Sequence, residues 1–148
     1  MQLDTAHMQG SMTRQAGSGH ARGRGQRALL GLELLTGVAG AIGGTLLVIR
    51  PDGSLMQAKL SALAGSPFPD WRIPGALLAT LVGGGFLGTA LWQWRGGRHA
   101  RELSLLAGLG LVVFEGAELT WIGFQPLEAL FAAVGLVVMG LAWRLPRS

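Results

Sequence analysis

Four apolar stretches, each about as long as a bilayer is thick, constrain this 148-residue chain more than any other feature. They run from Ala28 to Ile49, Pro74 to Trp94, Leu103 to Trp121 and Pro126 to Trp143. About 20 apolar residues at roughly 1.5 Å rise each cover the hydrocarbon core of a membrane. A soluble domain of this size would show shorter, amphipathic stripes. The expected fold class is therefore all-α, a four-transmembrane-helix bundle formed by residues 27–148 behind a basic tail of residues 1–26.

Charge gives that bundle a direction. Only 14% of residues are charged, and they collect in the tail and the connections. Arg14, Arg22, Arg24 and Arg27 precede the first span, Arg95, Arg98 and Arg101 separate the second from the third, and Arg144 and Arg147 follow the fourth. That side carries nine of the twelve Lys and Arg, leaving Arg50, Lys59 and Arg72 for the other. Positive residues stay inside, so both termini are expected in the cytoplasm. The five tryptophans fit the same frame as interfacial anchors, with Trp71 and Trp121 outside and Trp92, Trp94 and Trp143 inside. With Lys59 as the sole lysine, the Arg-for-Lys bias suggests a GC-rich bacterial source, hence a bacterial cytoplasmic membrane.

Residues 1–26 are rich in Gly, Ser, Gln and Arg and poor in large apolar groups, so they are expected to be disordered. The Arg22-Gly23-Arg24-Gly25 run superficially resembles RNA-binding segments. Its position beside a span points instead to anionic lipid, at about 1 kcal/mol per basic residue, and no nucleic acid partner is expected. The apolar run after Arg27 is too long for a cleaved signal peptide and reads as a retained signal anchor.

The connection from Pro51 to Ile73 carries the most local signals. Ser54 and Gln57 have capping-box spacing, Leu55, Met56, Leu60 and Leu63 form an apolar strip, and Gly65 offers a stop. One short helix lying at the outer interface is expected over Ser54 to Gly65. Beyond Gly65 the backbone is restricted by Pro67, Pro69 and Pro74, with Pro74 in the first turn of the second span. Phe68, Asp70 and Trp71 are the loop's candidate contact residues, whether the loop is a lid or a plain tether.

Within the spans, glycine sets the packing. Gly40 and Gly44 form one GxxxG pair and Gly84 and Gly88 another, so these four are the candidate helix-packing positions. Close backbone approach through small residues is how helices associate in lipid, within one copy or between two.

Charge inside the spans marks candidate chemistry, because a carboxylate at bilayer depth costs about 2.5–3.5 kcal/mol on insertion scales. Glu33 lies in the first span, and Glu115 and Glu118 in the third, three residues apart on one helical face. Two such carboxylates in low dielectric resist full ionisation, so at least one can hold a proton near neutral pH, and the pair reads either as structural hydrogen bonding inside the bundle or as a binding site for a proton or a cation. No span contains a Lys or Arg to pair with them. Glu128, just after Pro126, reads as a complement to its helix dipole.

Other classes are disfavoured by what is missing. His7, His20 and His99 all lie outside the spans and there is no cysteine, so neither a haem nor a metal site is expected. No GxSxG, HExxH or P-loop pattern occurs, and Thr45, Thr80, Thr89 and Thr120 are expected to bond within their helices. No cofactor and no catalytic residue is expected.

The elements Gly43-Gly44-Thr45-Leu46-Leu47, Pro51-Asp52-Gly53-Ser54-Leu55 and Ser66-Pro67-Phe68-Pro69-Asp70-Trp71-Arg72-Ile73-Pro74-Gly75, with Gln125-Pro126 ahead of the fourth span, resemble a family of small four-span bacterial membrane proteins. The architecture alone is also similar to that of DoxX-like proteins. The resemblance implies the four-span fold and brings no catalytic residue with it. Two functions are consistent with these readings. The leading one is a non-enzymatic accessory subunit that binds another membrane protein. The other is a small proton-coupled carrier, acting as a homodimer through Glu115 and Glu118. A cavity reaching both carboxylates would favour the carrier.

Overall fold

The computed structural model describes the backbone of residues 4–122 and 126–145, and the side chains of 23–121 and 127–145. It is all-helical among the described residues. The helices are α1 (Asp4–Ile49), α2 (Arg72–Trp94), α3 (Ala100–Ile122) and α4 (Pro126–Trp143). Three apolar segments, Gly23–Ile49, Arg72–Trp94 and Ala100–Trp121, are long and apolar enough to cross a membrane, and Leu127–Trp143 is a shorter apolar helix. The four expected stretches are thus helical; α2, α3 and α4 have bounds within a few residues of those read from hydropathy, whereas α1 starts well before Ala28. Gln125 and Ser148 lie outside the described residues.

The tail departs from expectation. Helix α1 begins at Asp4, so residues 4–26 are helical rather than disordered. The segment's Ala, Met, Gln and Arg are good helix formers, and once a span has nucleated each added residue gains a hydrogen bond at little cost. Gly23 and Gly25 meet no neighbour within 4 Å of where a Cβ would stand, so these two positions do not pack on the bundle.

Two antiparallel pairs make the bundle. In the α1–α2 pair, a Cβ on Gly40 would stand 2.9 Å from the Gly83 nitrogen, and Gly44 meets Gly75 and Ala79. Gly84 and Gly88 take no part: nothing lies closer than 3.9 Å to the first, or within 4 Å of the second. The expected GxxxG pair in α2 is therefore replaced by Gly75, Ala79 and Gly83. A π-helical stretch, Leu78–Gly84, widens α2 here, its hydrogen bonds reaching five residues back, and shifts the later residues around the helix.

Leu29, Val82, Phe86, Leu111, Val138 and Ala142 form the buried core. Large apolar side chains also cover the outside of all four helices: Leu35 is 69% exposed, Leu81 61%, Leu106 64% and Leu136 60%. Thr45, Thr80, Thr89 and Thr120 each donate to a carbonyl three or four residues back, at 2.6–2.8 Å, as expected for hydroxyls satisfied within a helix.

The 50–71 connection closes one end, the outer end of the orientation read from charge. It is not one interfacial helix. Two 3₁₀ turns, Ser54–Met56 and Leu60–Leu63, are separated by Gln57 in the left-handed region at φ 55°. The capping box fails because Asp52 takes Ser54 first: its Oδ1 accepts from the Ser54 backbone N–H at 3.1 Å and from the hydroxyl at 2.8 Å. These two bonds, the backbone one foremost, hold the Asp52 carboxyl below its ordinary value.

Candidate cation-binding cavity

Loop and helices meet at Trp71. Its backbone N–H donates to the Pro51 carbonyl at 3.0 Å, and Asp70 Oδ1 accepts from the Arg72 N–H at 2.9 Å, which caps the start of α2. Trp71 is buried against Leu47 and Leu63, so it is a core residue of the outer end and not the lipid-facing anchor expected of it. Indole area buried between loop and helices outweighs its interfacial preference. The other four tryptophans are between 44% and 78% exposed, compatible with the outward role expected for them. Phe68 crosses the loop to meet Trp121 of α3 edge to face, with ring centroids 6.0 Å apart.

Beneath this loop lies a cavity of about 180 Å³. Glu115 and Glu118 enter it from α3 and Glu128 from α4, while Trp71, Phe114 and Phe131 supply aromatic wall. Glu115 and Glu128 are buried and Glu118 half-buried. The expected carboxylate pair is therefore a triad, with Glu115 in the electrostatic field of Glu118 and Glu128, and Glu118 in that of Glu128. Glu128 was missed in the sequence because its place after Pro126 already had a local explanation. The usable signal was the short reversal between α3 and α4, which returns the chain beside Glu118. Among the described residues, no Lys or Arg lines the cavity, and no group of three His, Cys, Asp or Glu has metal-ligand geometry.

A second pocket of about 250 Å³ adjoins it, sharing Phe114 and Glu118. Apart from Glu118 and Ser66 its lining is apolar, and includes Leu63, Phe68, Leu77 and Trp121. Of the loop candidates, Phe68 and Trp71 thus border the two pockets, whereas Asp70 serves the helix start.

Glu33 does not join this site. It is fully buried near the opposite end of the bundle, its carboxyl group facing Ser104 of α3 and otherwise unpartnered. Ser104 lies three turns from Glu115, about 16 Å by helical rise. Gln93 is likewise buried with its amide unpaired, and Arg101, also buried, stacks its guanidinium 5.0 Å from the Trp143 ring centroid. On the bundle's flank, Gly84, Gly85, Gly88, Thr89, Trp92 and Leu106 border an open groove between α2 and α3 of about 460 Å³.

No family model matches the chain, and comparison with curated proteins and with solved structures returns no match.

Proposed function

We propose that this chain is a multi-pass protein of a bacterial cytoplasmic membrane, both termini inside, that binds a cationic solute in its outer cavity and exchanges it for protons. Apolar side chains exposed on every helix support the membrane setting, because a water-soluble bundle would not present them to solvent. One observation carries the cation: three carboxylates from two helices converge on a cavity that no Lys or Arg borders. Buried carboxyl groups of that kind are met either by a proton or by a positive partner, the two states between which an exchange alternates. The task is binding and exchange, not catalysis, and the partners are the bilayer and a second copy. A homodimer joined along the Gly84, Gly85 and Gly88 groove would enclose the path that one four-helix copy is too small to hold.

The same groove supports a second reading, an accessory subunit that docks another membrane protein there. Flux measurements separate the two. Quaternary ammonium ions carry no exchangeable proton, so an inward gradient of them across proteoliposomes should alkalinise the lumen. The carrier reading requires that Glu115→Gln abolish this flux in protein that melts normally. If no quaternary ammonium ion moves protons, or if the variant does so equally well, the accessory reading takes its place.

A further inference from the structure

The open groove of about 460 Å³ between α2 and α3 joins an apolar surface to a basic one. Leu103, Leu106 and Ala107 form its α3 wall. On α2, Gly84, Gly85 and Gly88 leave it bare, with no other group closer than 3.9 Å to where a Cβ would stand. From Trp92 to Gly84 the groove covers about 12 Å of helical rise, most of the roughly 15 Å hydrocarbon depth of one leaflet. The connection between the two helices closes its Trp92 end. There the Trp92 indole N–H donates to the Arg98 carbonyl at 2.7 Å and the Gly97 N–H to the Trp92 carbonyl at 2.9 Å, which folds the connection onto a ring that lines the groove. Arg95 and Arg98 stand exposed on this connection. Glu102, the acid next along the chain, lies instead 4.0 Å from His99 and 3.9 Å from Arg101, and among the described residues no ion pair engages Arg95 or Arg98.

We propose that the groove holds one acyl chain of an anionic phospholipid of the inner leaflet, whose phosphate meets Arg95 and Arg98. This rests on the membrane setting and orientation and is independent of the cation-binding reading. Charge complementarity selects the occupant: an anionic lipid supplies the counter-charge that two unpaired guanidinium groups lack, whereas a zwitterionic one brings a competing cation beside its phosphate. A second copy alone suits the groove poorly, because a two-fold axis normal to the membrane would bring two basic connections together. A homodimer over the groove closes on the lipid, whose charge offsets both.

Native mass spectrometry of delipidated protein held monomeric in detergent tests the site. Palmitoyl-oleoyl phosphatidylglycerol is the probe, phosphatidylcholine with the same chains the zwitterionic control, and inorganic phosphate the free anion. The first phosphatidylglycerol should bind about tenfold or more tightly than phosphatidylcholine, the scale expected of two basic residues at a charged lipid surface, and phosphate at matched concentration should not displace it. Arg95→Gln with Arg98→Gln should erase the preference, whereas Arg24→Gln with Arg27→Gln on α1 should keep it. Gly88→Leu fills the groove with a good helix former and leaves every charge in place. It should weaken phosphatidylglycerol several-fold, and serves also if the arginine variant does not fold. Equal binding of the two lipids, displacement by phosphate, a preference that follows the α1 arginines, or binding indifferent to Gly88→Leu would overturn the proposal. So would a dimer that forms equally well in phosphatidylcholine and excludes phosphatidylglycerol, for then a second copy fills the groove.

Discussion

Gly108 of α3 and Gly135 of α4 meet backbone to backbone: a Cβ on the first would stand 2.8 Å from the Gly135 carbonyl oxygen, and one on the second 2.9 Å from that of Gly108. This contact holds together the two helices that supply the carboxylates. Gly108→Ala or Gly135→Ala should destabilise the protein in detergent by about 1–3 kcal/mol, the usual cost of overpacking. Gly88→Ala has open space around it within one copy and, in protein held monomeric by detergent, should be neutral or gain up to about 1 kcal/mol of helix propensity. Melting curves of the three variants check the contrast.

Where the sequence was legible, a single physical term dominated. Hydropathy alone decides where a chain can be apolar for about 20 residues, so the four helices were readable. Threonines bonding back along a helix are equally local. Glu115 and Glu118 could be paired because helical spacing puts them on one face. Legibility ended where two terms competed or where tertiary register decided. Ser54 had a capping partner in Gln57, but Asp52 was closer. The choice of Gly75, Ala79 and Gly83 over Gly84 and Gly88 depends on how α2 is rotated against α1, which the π-helical stretch alters. That set is itself a small-residue repeat every four residues, so a fuller search of spacings would have raised it. Glu128 joined the site only through the α3–α4 reversal.

In the outer loop, Asp52 is fully exposed and bonded to Ser54. Its folded value is lowered, so its contribution to loop stability is present above the unfolded value of 3.8 and is lost as pH falls through the lower folded value. In an NMR titration, the Ser54 amide should report a midpoint below 3.8, and Asp52→Asn should remove the transition. A midpoint at or above 3.8 would contradict the assigned bonds.

Glu33 separates structural burden from function. Its carboxyl group is buried with Ser104 as its one polar neighbour among the described residues, and an incompletely satisfied buried polar group costs about 1–3 kcal/mol relative to an apolar group of similar shape. Glu33→Met should therefore leave stability unchanged or raise it by up to that amount, and should spare proton exchange driven by quaternary ammonium ions. Loss of exchange in a variant that melts normally would show that the two ends of the bundle are coupled.

In the proposed orientation the acidic cavity opens to the outer side and should favour cations over anions, and the absence of cysteine allows a direct test. Leu127 borders the cavity and is 55% exposed. In intact cells, Leu127→Cys should react at least tenfold faster with an impermeant trimethylammonium thiosulfonate than with the sulfonate reagent of opposite charge. Combining it with Glu115→Gln, Glu118→Gln and Glu128→Gln should bring the two rates together, while Ser11→Cys should react with neither reagent. Equal rates with all three carboxylates intact, or labelling of Ser11→Cys but not of Leu127→Cys, would contradict the account.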